Sequence, residues 1–223
     1  MAGNAFLVKT PEKNILIDTG TGAKLFENLE SINVNPSEID AILITHMHYD
    51  HIGGLLKDNQ VMFPNAELYI AQPEHDYWTS DEAMEKVPEA YRGGFKQART
   101  VIEAYKNQLK LFETAPFDGD VKELLPFVVA IAAPGHTPGH TMYMVTSNNN
   151  QMLFWGDLTH ALSIQMPYPE VAVTYDVDSA QAIESRKAIL EYVSKNNIQI
   201  AGMHNSFPAM GKIKSAETGY LFE

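Results

Sequence analysis

The stretch Thr45-His46-Met47-His48-Tyr49-Asp50-His51 directly follows Ile39–Ile44, an apolar segment typical of a buried strand. On a loop at the carboxyl end of a strand, its first two histidines can turn toward one point. Asp50 and the third histidine can face a second point nearby. Imidazole nitrogen and carboxylate oxygen are ligands of zinc and similar cations, so the stretch predicts a metal site. A polar loop of unrelated histidines is the alternative interpretation.

Three later segments carry further candidate ligands just beyond predicted strands. Asp157 could instead cap a helix, and His204 could be an ordinary core histidine. Because all of these residues follow strand ends, we expect them to meet the first stretch and to hold two metals with open coordination positions. The expected ligands are His46, His48 and His136 for one metal and Asp50, His51 and His204 for the other, with Asp157 bridging both.

The composition excludes several classes of function. The chain has 223 residues, 45% of them hydrophobic, and a formal net charge of −12, with no Lys or Arg cluster, so we expect no nucleic-acid partner. The absence of cysteine excludes disulfides, Fe–S clusters and Cys-ligated zinc. No apolar run approaches the roughly 20 residues of a membrane span. Met1–Asn4 lacks the basic region of an export signal, which leaves a cytoplasmic chain or one exported after removal of a leader.

Strand and helix patterns alternate along the chain and predict an α+β fold in a single domain, 1–223. An amphipathic stretch at about 73–111, interrupted by Pro88 and Gly93-Gly94, is interpreted as a helical insertion. The remaining predicted helices are Lys24–Ile32 and Ser179–Asn196, and the other predicted strands are Ala5–Lys9, Asn14–Asp18, Glu67–Ala71, Val128–Ala132, Met142–Thr146, Met152–Phe154 and Ile198–Gly202.

The order of these motifs resembles the metallo-β-lactamase superfamily over nearly the whole chain. The T-H-x-H-x-D-H string is highly specific, and the resemblance also covers the Asp18 turn, the G-H-T-P-G-H loop at 135–140, Gly156-Asp157 and His204. It implies an αβ/βα sandwich of two sheets flanked by helices, with a dinuclear site at one rim. In this family the acidic residue at the position of Asp18 stands behind the metal ligands.

Within the superfamily, the chain is most similar to the methyl parathion hydrolase-like group, near the N-acyl homoserine lactonases. Members carry an extra N-terminal segment, and the resemblance therefore implies shortened N-terminal strands here. Either a leader and the first strands were lost or trimmed, or the sheet edge is closed differently, for which we expect a second subunit in a homodimer. The similarity is carried by Pro64-Asn65-Ala66, Tyr77-Trp78, Gly156-Asp157-Leu158-Thr159-His160, Gln165 with Pro167, Asp176-Val177-Asp178-Ser179, Arg186-Lys187, His204-Asn205-Ser206-Phe207-Pro208, Gly211 and Gly219-Tyr220.

Residues beside the ligands predict how a substrate is held. His160 follows Asp157 by three positions and could face the substrate, where lactonases have a tyrosine. His140 is expected to hydrogen-bond nearby backbone or a ligand. Each candidate pocket residue could instead belong to the core. As a group they suit an apolar cleft, and they are Tyr77, Trp78, Phe95, Met166, Tyr168 and Phe207.

The expected function is a dinuclear metal-dependent hydrolase of small, fairly apolar substrates: a lactone, an aryl ester or a phosphotriester. A metal-bridging hydroxide would attack, Asp50 or Asp157 would orient it and relay its proton, and His160 would hydrogen-bond the developing oxyanion. Zinc is the expected metal, with manganese, cobalt or iron as alternatives. The alternative functions are a di-iron oxidoreductase or dioxygenase and a non-catalytic member of the fold.

Overall fold

The computed structural model describes residues 2–117, 119 and 122–223. Contacts between Cα atoms divide the chain into two compact units. The N-terminal unit comprises residues 5–112, and the C-terminal unit comprises residues 113–223 together with the first few residues of the chain. The single domain predicted over 1–223 stays a prediction.

The N-terminal unit is built on a five-stranded sheet with the order β1-β2-β3-β6-β7. β1 is antiparallel to β2, and the remaining neighbours are parallel. The strands of this unit are β1 Phe6–Lys9, β2 Asn14–Ile17, β3 Ala41–Leu43, β4 Leu56–Lys57, β5 Gln60–Val61, β6 Glu67–Ala71 and β7 Leu109–Phe112, and its helices are α1 Leu25–Ser31, α2 Tyr49–Ile52, α3 Gln72–Thr79, α4 Asp81–Lys86 and α5 Arg92–Ala104.

The three central strands of this sheet are almost continuously apolar because the sheet is covered on both faces. Ile17 of β2 pairs with Leu43 of β3, which in turn pairs with Tyr69 of β6. Since parallel strands in register end at the same edge of a sheet, the residues that follow these three strands are delivered to one place. Asp18, the stretch 45–51 and α3 therefore lie at that edge.

The helical insertion predicted at about 73–111 contains three helices, at residues 72–79, 81–86 and 92–104. α5 buries Phe95, Ala98 and Val101, as the helical spacing predicts. Residues 109–112, in contrast, form β7, which pairs in parallel with β6. The short Leu-Lys-Leu-Phe sequence is stabilised as a strand by pairing with a distant segment, which its local pattern does not reveal.

The C-terminal unit contains a seven-stranded sheet in the order β14-β13-β12-β11-β10-β9-β8, in which the β11–β12 pair is parallel and the others are antiparallel. Its core includes Trp155, Ile189 and Leu190. The strands are β8 Glu123–Leu125, β9 Val128–Ala132, β10 Thr141–Ser147, β11 Asn150–Phe154, β12 Gln199–Ala201, β13 Met210–Ser215 and β14 Tyr220–Phe222, and the helices are α6 Leu162–Gln165 and α7 Ser179–Lys195.

The strands and helices predicted from apolar patterns are confirmed to within a few residues. The pattern missed the two-residue strands β4 and β5, and it missed β8, β13 and β14, which are short and largely polar or lie at sheet edges. Strands of this kind have too few buried apolar side chains to give a clear local pattern, and they depend on pairing with their neighbours. Among the described residues, no helix combines the length and apolar character needed to cross a membrane.

Gly135 allows the loop between β9 and β10 to approach the start of α7. Its φ of +128° is a conformation that L residues rarely adopt, and a Cβ atom there would lie 2.1 Å from the backbone nitrogen of Ala182. Asp178 caps the same helix end, since its side chain accepts a hydrogen bond from the backbone N–H of Gln181. His136 is therefore held on a loop in close contact with α7.

We predict that Gly135→Ala lowers the free energy of unfolding by more than about 1 kcal/mol, because the added methyl group must displace backbone at a positive φ. The matched control is Gly93→Ala, where an added Cβ has nothing within 4 Å. On helix α5 this change should leave stability unchanged or raise it by up to about 1 kcal/mol. Urea unfolding of both variants measures the difference, and equal stabilities would contradict the close approach.

Candidate metal centre

Asp18 is the hub of the polar cluster in the N-terminal unit. It follows β2, is fully buried and has a φ of +54°. Its Oδ1 accepts a hydrogen bond from the Thr45 backbone N–H at 2.8 Å, and its Oδ2 accepts one from Thr45 Oγ1 at 2.7 Å. The same Oδ2 lies 2.7 Å from Nδ1 of His51. Asp18 thus fixes both ends of the histidine loop, which supports the position behind the ligands that the resemblance implies.

Glu74 is a second buried acid at this loop, and the sequence reasoning missed it. It lies in the first turn of α3, and its Oε1 accepts hydrogen bonds from the backbone N–H of Met47 at 2.8 Å and from Trp78 Nε1 at 2.6 Å. Met47 stands between two candidate ligands, so Glu74 holds the backbone that carries them. The available signal was an acidic residue one helical turn before a tryptophan, directly after a buried strand.

The loop gathers its candidate ligands closely. The ring centroid of His46 lies 4.7 Å from that of His48 and 4.0 Å from that of His51. The donor atoms of His46 and His48 lie within 4.8 Å of one another, as do those of Asp50 and His51. The Asp50 side chain is 43% exposed, whereas His51 is buried. The two pairs expected from the sequence are therefore present within this unit.

In the C-terminal unit, three imidazoles converge on one carboxylate oxygen, Oδ2 of Asp157. The Nε2 atoms of His136, His160 and His204 lie 3.3, 2.9 and 3.1 Å from it. Asp157 follows β11 and its side chain is 3% exposed, and the three histidine side chains are equally well buried. The donor atoms of Asp157, His160 and His204 form a group within 4.8 Å that could hold a metal ion.

The hydrogen bonds at Nδ1 indicate which nitrogen of each ring is available to a cation. Nδ1 of His51 lies 2.7 Å from Asp18, that of His136 lies 2.9 Å from Asp176 Oδ1, and that of His204 lies 2.8 Å from the carbonyl oxygen of Ala2. Because each of these partners is an acceptor, Nδ1 carries a hydrogen, so a cation would bind each ring through Nε2. This is the arrangement of metal-bound histidine, so the residues of each cluster fit divalent cations.

His46 follows the same rule through Thr45, whose Oγ1 donates to Asp18 and lies 3.1 Å from His46 Nδ1. His140 is different. Its Nδ1 donates to the carbonyl oxygen of Ala133 and its Nε2 accepts from the backbone N–H of Asp157, both at 2.9 Å. The expectation that His140 hydrogen-bonds nearby backbone is confirmed, and both of its ring nitrogens are engaged in fixing the loop that carries Asp157.

Burial and the Asp157 charge act in opposite directions on the histidines around it. Burial lowers the pKa of His136, but hydrogen bonds to Asp157 and Asp176 outweigh burial and raise its pKa to about 9 in the metal-free protein. For His160, burial dominates over the Asp157 interaction and lowers the pKa. The neutral form of the His160 ring is therefore favoured over the imidazolium. Its Nδ1 is buried without a hydrogen-bond partner among the described residues.

Tyr175 also belongs to this cluster, and the sequence reasoning did not find it. Its ring centroid lies 5.0 Å from that of His160 and 6.0 Å from that of His136, in both cases edge to face. The residue is 39% exposed, so it forms a boundary between the buried histidines and solvent. A tyrosine in an irregular segment between α6 and α7 carries no local signal of such a position.

The predicted pocket residues fall into two environments. Trp78 and Phe95 are core residues that pack on each other and on Tyr77, and Trp78 also contacts the His48 ring at 5.4 Å between centroids. Met166 is buried in the core of the C-terminal unit. Tyr168 is exposed, as is Phe207 at 96%. Their role as substrate contacts stays a prediction.

Comparisons with known proteins agree with this geometry. Residues 1–197 match the model of the metallo-β-lactamase superfamily. The solved structure of AidC, a dizinc quorum-quenching lactonase in complex with a product, N-hexanoyl-L-homoserine, is similar with a TM-score of 0.92 at 30% identity, covering 100% of this chain and 79% of that one. The crystal structure of AbOPH, a hydrolase of the β-lactamase superfamily, is similar with a TM-score of 0.90 at 30% identity. The match covers 99% of this chain and 78% of that one.

Among curated proteins, the exodeoxyribonuclease WalJ of Streptococcus pneumoniae is 47% identical over 90 residues, which are 38% of this chain. The chain spans about a third of the length of that relative. The predicted α+β fold of this family is confirmed. The family model over 197 residues, the two similar structures and the histidine and aspartate clusters together identify the chain as a member of the metallo-β-lactamase superfamily.

Proposed function

We propose that the protein is a dinuclear metal-dependent hydrolase of small, fairly apolar substrates of the ester type, namely lactones, aryl esters or phosphotriesters. The observation that carries this proposal is the convergence of three imidazoles on Oδ2 of Asp157. Buried imidazoles gathered at a buried carboxylate form a set of ligands for divalent cations. We further propose that the protein is a homodimer that binds neither nucleic acid nor membrane.

The proposed ligand set is the one expected from the sequence, with Asp157 bridging two cations. Zinc is the proposed metal, because the solved lactonase relative is a dizinc protein and because imidazole and carboxylate suit zinc. When bound, the two cations would supply an activated water as nucleophile and would polarise the bond that is attacked. The first cation is assigned to His46, His48 and His136, and the second to Asp50, His51 and His204.

The chain's own residues provide orientation and proton transfer. Asp18 and Asp176 hold the rings of His51 and His136 through Nδ1, so that Nε2 faces the ligand cluster of each unit. Among the proposed ligands, the Asp50 carboxylate is partly exposed, and its Oδ2 lies 3.9 Å from His51 Nε2. We therefore assign the exchange of a proton with solvent to Asp50 Oδ2. The neutral His160 is assigned as a hydrogen-bond donor to the developing oxyanion through Nε2.

Charge and exposed side chains support a small, apolar substrate. A formal net charge of −12 repels polyanions such as DNA. The segment that contains α6 and runs to the start of α7 carries five exposed large apolar side chains, and clustered exposed apolar residues are typical of binding surfaces. They are Ile164, Tyr168, Val171, Tyr175 and Val177. An ester with an apolar substituent could be held by contacts of this kind.

The proposal is tested by loading the protein with zinc, manganese, cobalt or iron. Turnover of an acyl lactone, an aryl ester, a phosphotriester and a DNA oligonucleotide is then measured together with oxygen consumption. Ester or lactone hydrolysis by the zinc, manganese or cobalt form is the expected result. Degradation of DNA alone would assign the nuclease activity named for WalJ. Oxygen consumption by the iron form would indicate an oxidoreductase, and a metal-loaded protein without any turnover would indicate a non-catalytic member.

We predict that Asp157→Ala removes at least one equivalent of metal and nearly all hydrolysis. The carboxylate is shared by both proposed cations, and its removal leaves three imidazoles without the negative charge on which they converge. Asp81→Ala is the matched control, because it deletes a carboxylate that is 77% exposed. Elemental analysis and turnover on the same samples give the answer. Two retained metals with parental turnover would refute the bridging role of Asp157.

His160→Ala should reduce turnover by roughly tenfold to a thousandfold, the range for losing one hydrogen-bond donor to an oxyanion. The metal content should stay at the parental level, since His160 is outside the proposed ligand set. His75→Ala, in an α3 residue with no assigned role, serves as the control. Unchanged turnover would remove His160 from the catalytic residues. Loss of metal would instead make His160 a ligand, as its position within 4.8 Å of the donor atoms of Asp157 and His204 allows.

A further inference from the structure

The segment 173–178 is fastened to the loop that carries His136. The backbone N–H of Val177 donates to the carbonyl oxygen of His136 at 3.1 Å, and that of Asp178 donates to the carbonyl oxygen of Gly135 at 2.9 Å. The same segments also meet through side chains, since His136 Nδ1 is 2.9 Å from Asp176 Oδ1. The two segments are 40 residues apart in the sequence. Backbone and side-chain bonds therefore act together on a single proposed ligand.

The Asp176 carboxylate is itself held in place. Its side chain is fully buried, and its Oδ2 accepts a hydrogen bond from the backbone N–H of Val173 at 3.1 Å. Burial raises the pKa of Asp176, but the hydrogen bonds from His136 and Val173 outweigh it, so the pKa lies below the ordinary value. The buried guanidinium of Arg186 is close enough to interact electrostatically with this carboxylate. Asp176 is thus an acceptor with a fixed orientation, because each of its two carboxylate oxygens has a hydrogen-bond partner.

Resting on the proposed function, we infer that Asp176 is a positioning residue that sets the ring orientation and the Nδ1–H tautomer of His136 and so determines the affinity of the cation held by that histidine. The geometry matches that of Asp18 and His51 in the N-terminal unit, where a buried carboxylate oxygen lies 2.7 Å from Nδ1. In each case a carboxylate fixes the ring so that Nε2 can bind a cation. A purely structural role, in which Asp176 only closes the 173–176 turn, is the alternative.

The two roles make different predictions for Asp176→Asn. Asparagine keeps one acceptor oxygen and a similar volume but loses the negative charge that strengthens the bond to imidazole. Loss of such an outer carboxylate typically reduces metal affinity by about 10- to 100-fold, and we expect a loss of this size for one of the two zinc equivalents. Competition with a chromophoric chelator measures it. The d–d spectrum of the cobalt-loaded variant should also change, because the ligand field at His136 changes.

Asp178→Asn is the matched control. It substitutes a neighbouring aspartate whose side chain caps α7 through the backbone N–H of Gln181, and asparagine caps a helix equally well. We expect this variant to have the zinc affinity and the cobalt spectrum of the parent. Zinc affinity of Asp176→Asn within twofold of the parent, with an unchanged cobalt spectrum, would overturn the inference and leave Asp176 as a turn residue.

A measurement on the unmodified protein keeps the inference testable if the variant does not fold. In the zinc-loaded protein, ¹H–¹⁵N spectra of the histidine rings should show His136 protonated at Nδ1 and bound to zinc through Nε2. Zinc bound through Nδ1, or an Nδ1 without hydrogen, would overturn the inference. A parent protein that binds no zinc would overturn both the inference and the proposed function. Weakened zinc binding by Asp176→Asn in a protein that hydrolyses no ester would overturn only the ester substrate.

Discussion

A buried imidazole can offer a lone pair to a cation when its other nitrogen donates a hydrogen to an acceptor, and this requirement explains the polar interior of both units. Asp18 provides the acceptor for His51, Asp176 provides it for His136, and the carbonyl oxygen of Ala2 provides it for His204. Without these acceptors, each ring could rotate or adopt the other tautomer. The groups that accept these hydrogens are therefore as necessary to the candidate metal centre as the candidate ligands.

Burying a carboxylate costs solvation free energy, and the fold compensates for this cost with more than one hydrogen bond to each buried carboxylate. Asp18 accepts from the backbone and the side chain of Thr45, and Glu74 accepts from Met47 and Trp78. The carboxyl ends of the parallel strands β2, β3 and β6 lie side by side, so the residues that directly follow each strand can reach these hydrogen bonds without long loops. The apolar strands form the core, and the polar residues that follow them form the cluster.

The chain is similar to proteins with different named activities, including a dizinc lactonase in its structure and an exodeoxyribonuclease in part of its sequence. Membership of the superfamily therefore identifies the scaffold and the type of ligand, whereas the substrate depends on the residues around the cluster. In this chain those residues include Tyr175, which covers two histidines and is itself partly exposed. The irregular segment that carries it also carries Asp176. One short segment therefore contacts His136 twice, through the Tyr175 ring and through the Asp176 carboxylate.

The sequence by itself determined the family, the strands with continuous apolar runs and the candidate ligands, because these depend on local patterns. The histidine motif occupies one loop after one buried strand, and Asp157 and His204 each follow another. The roles of Glu74, Asp176 and Tyr175 were decided by tertiary structure alone. Asp176 meets His136 across 40 residues, and an aspartate followed by a helix cap has the same local pattern whether or not a distant ring lies against it. Likewise, β7, β8, β13 and β14 exist because other strands supply their hydrogen bonds, and such partners are fixed only when the chain is folded.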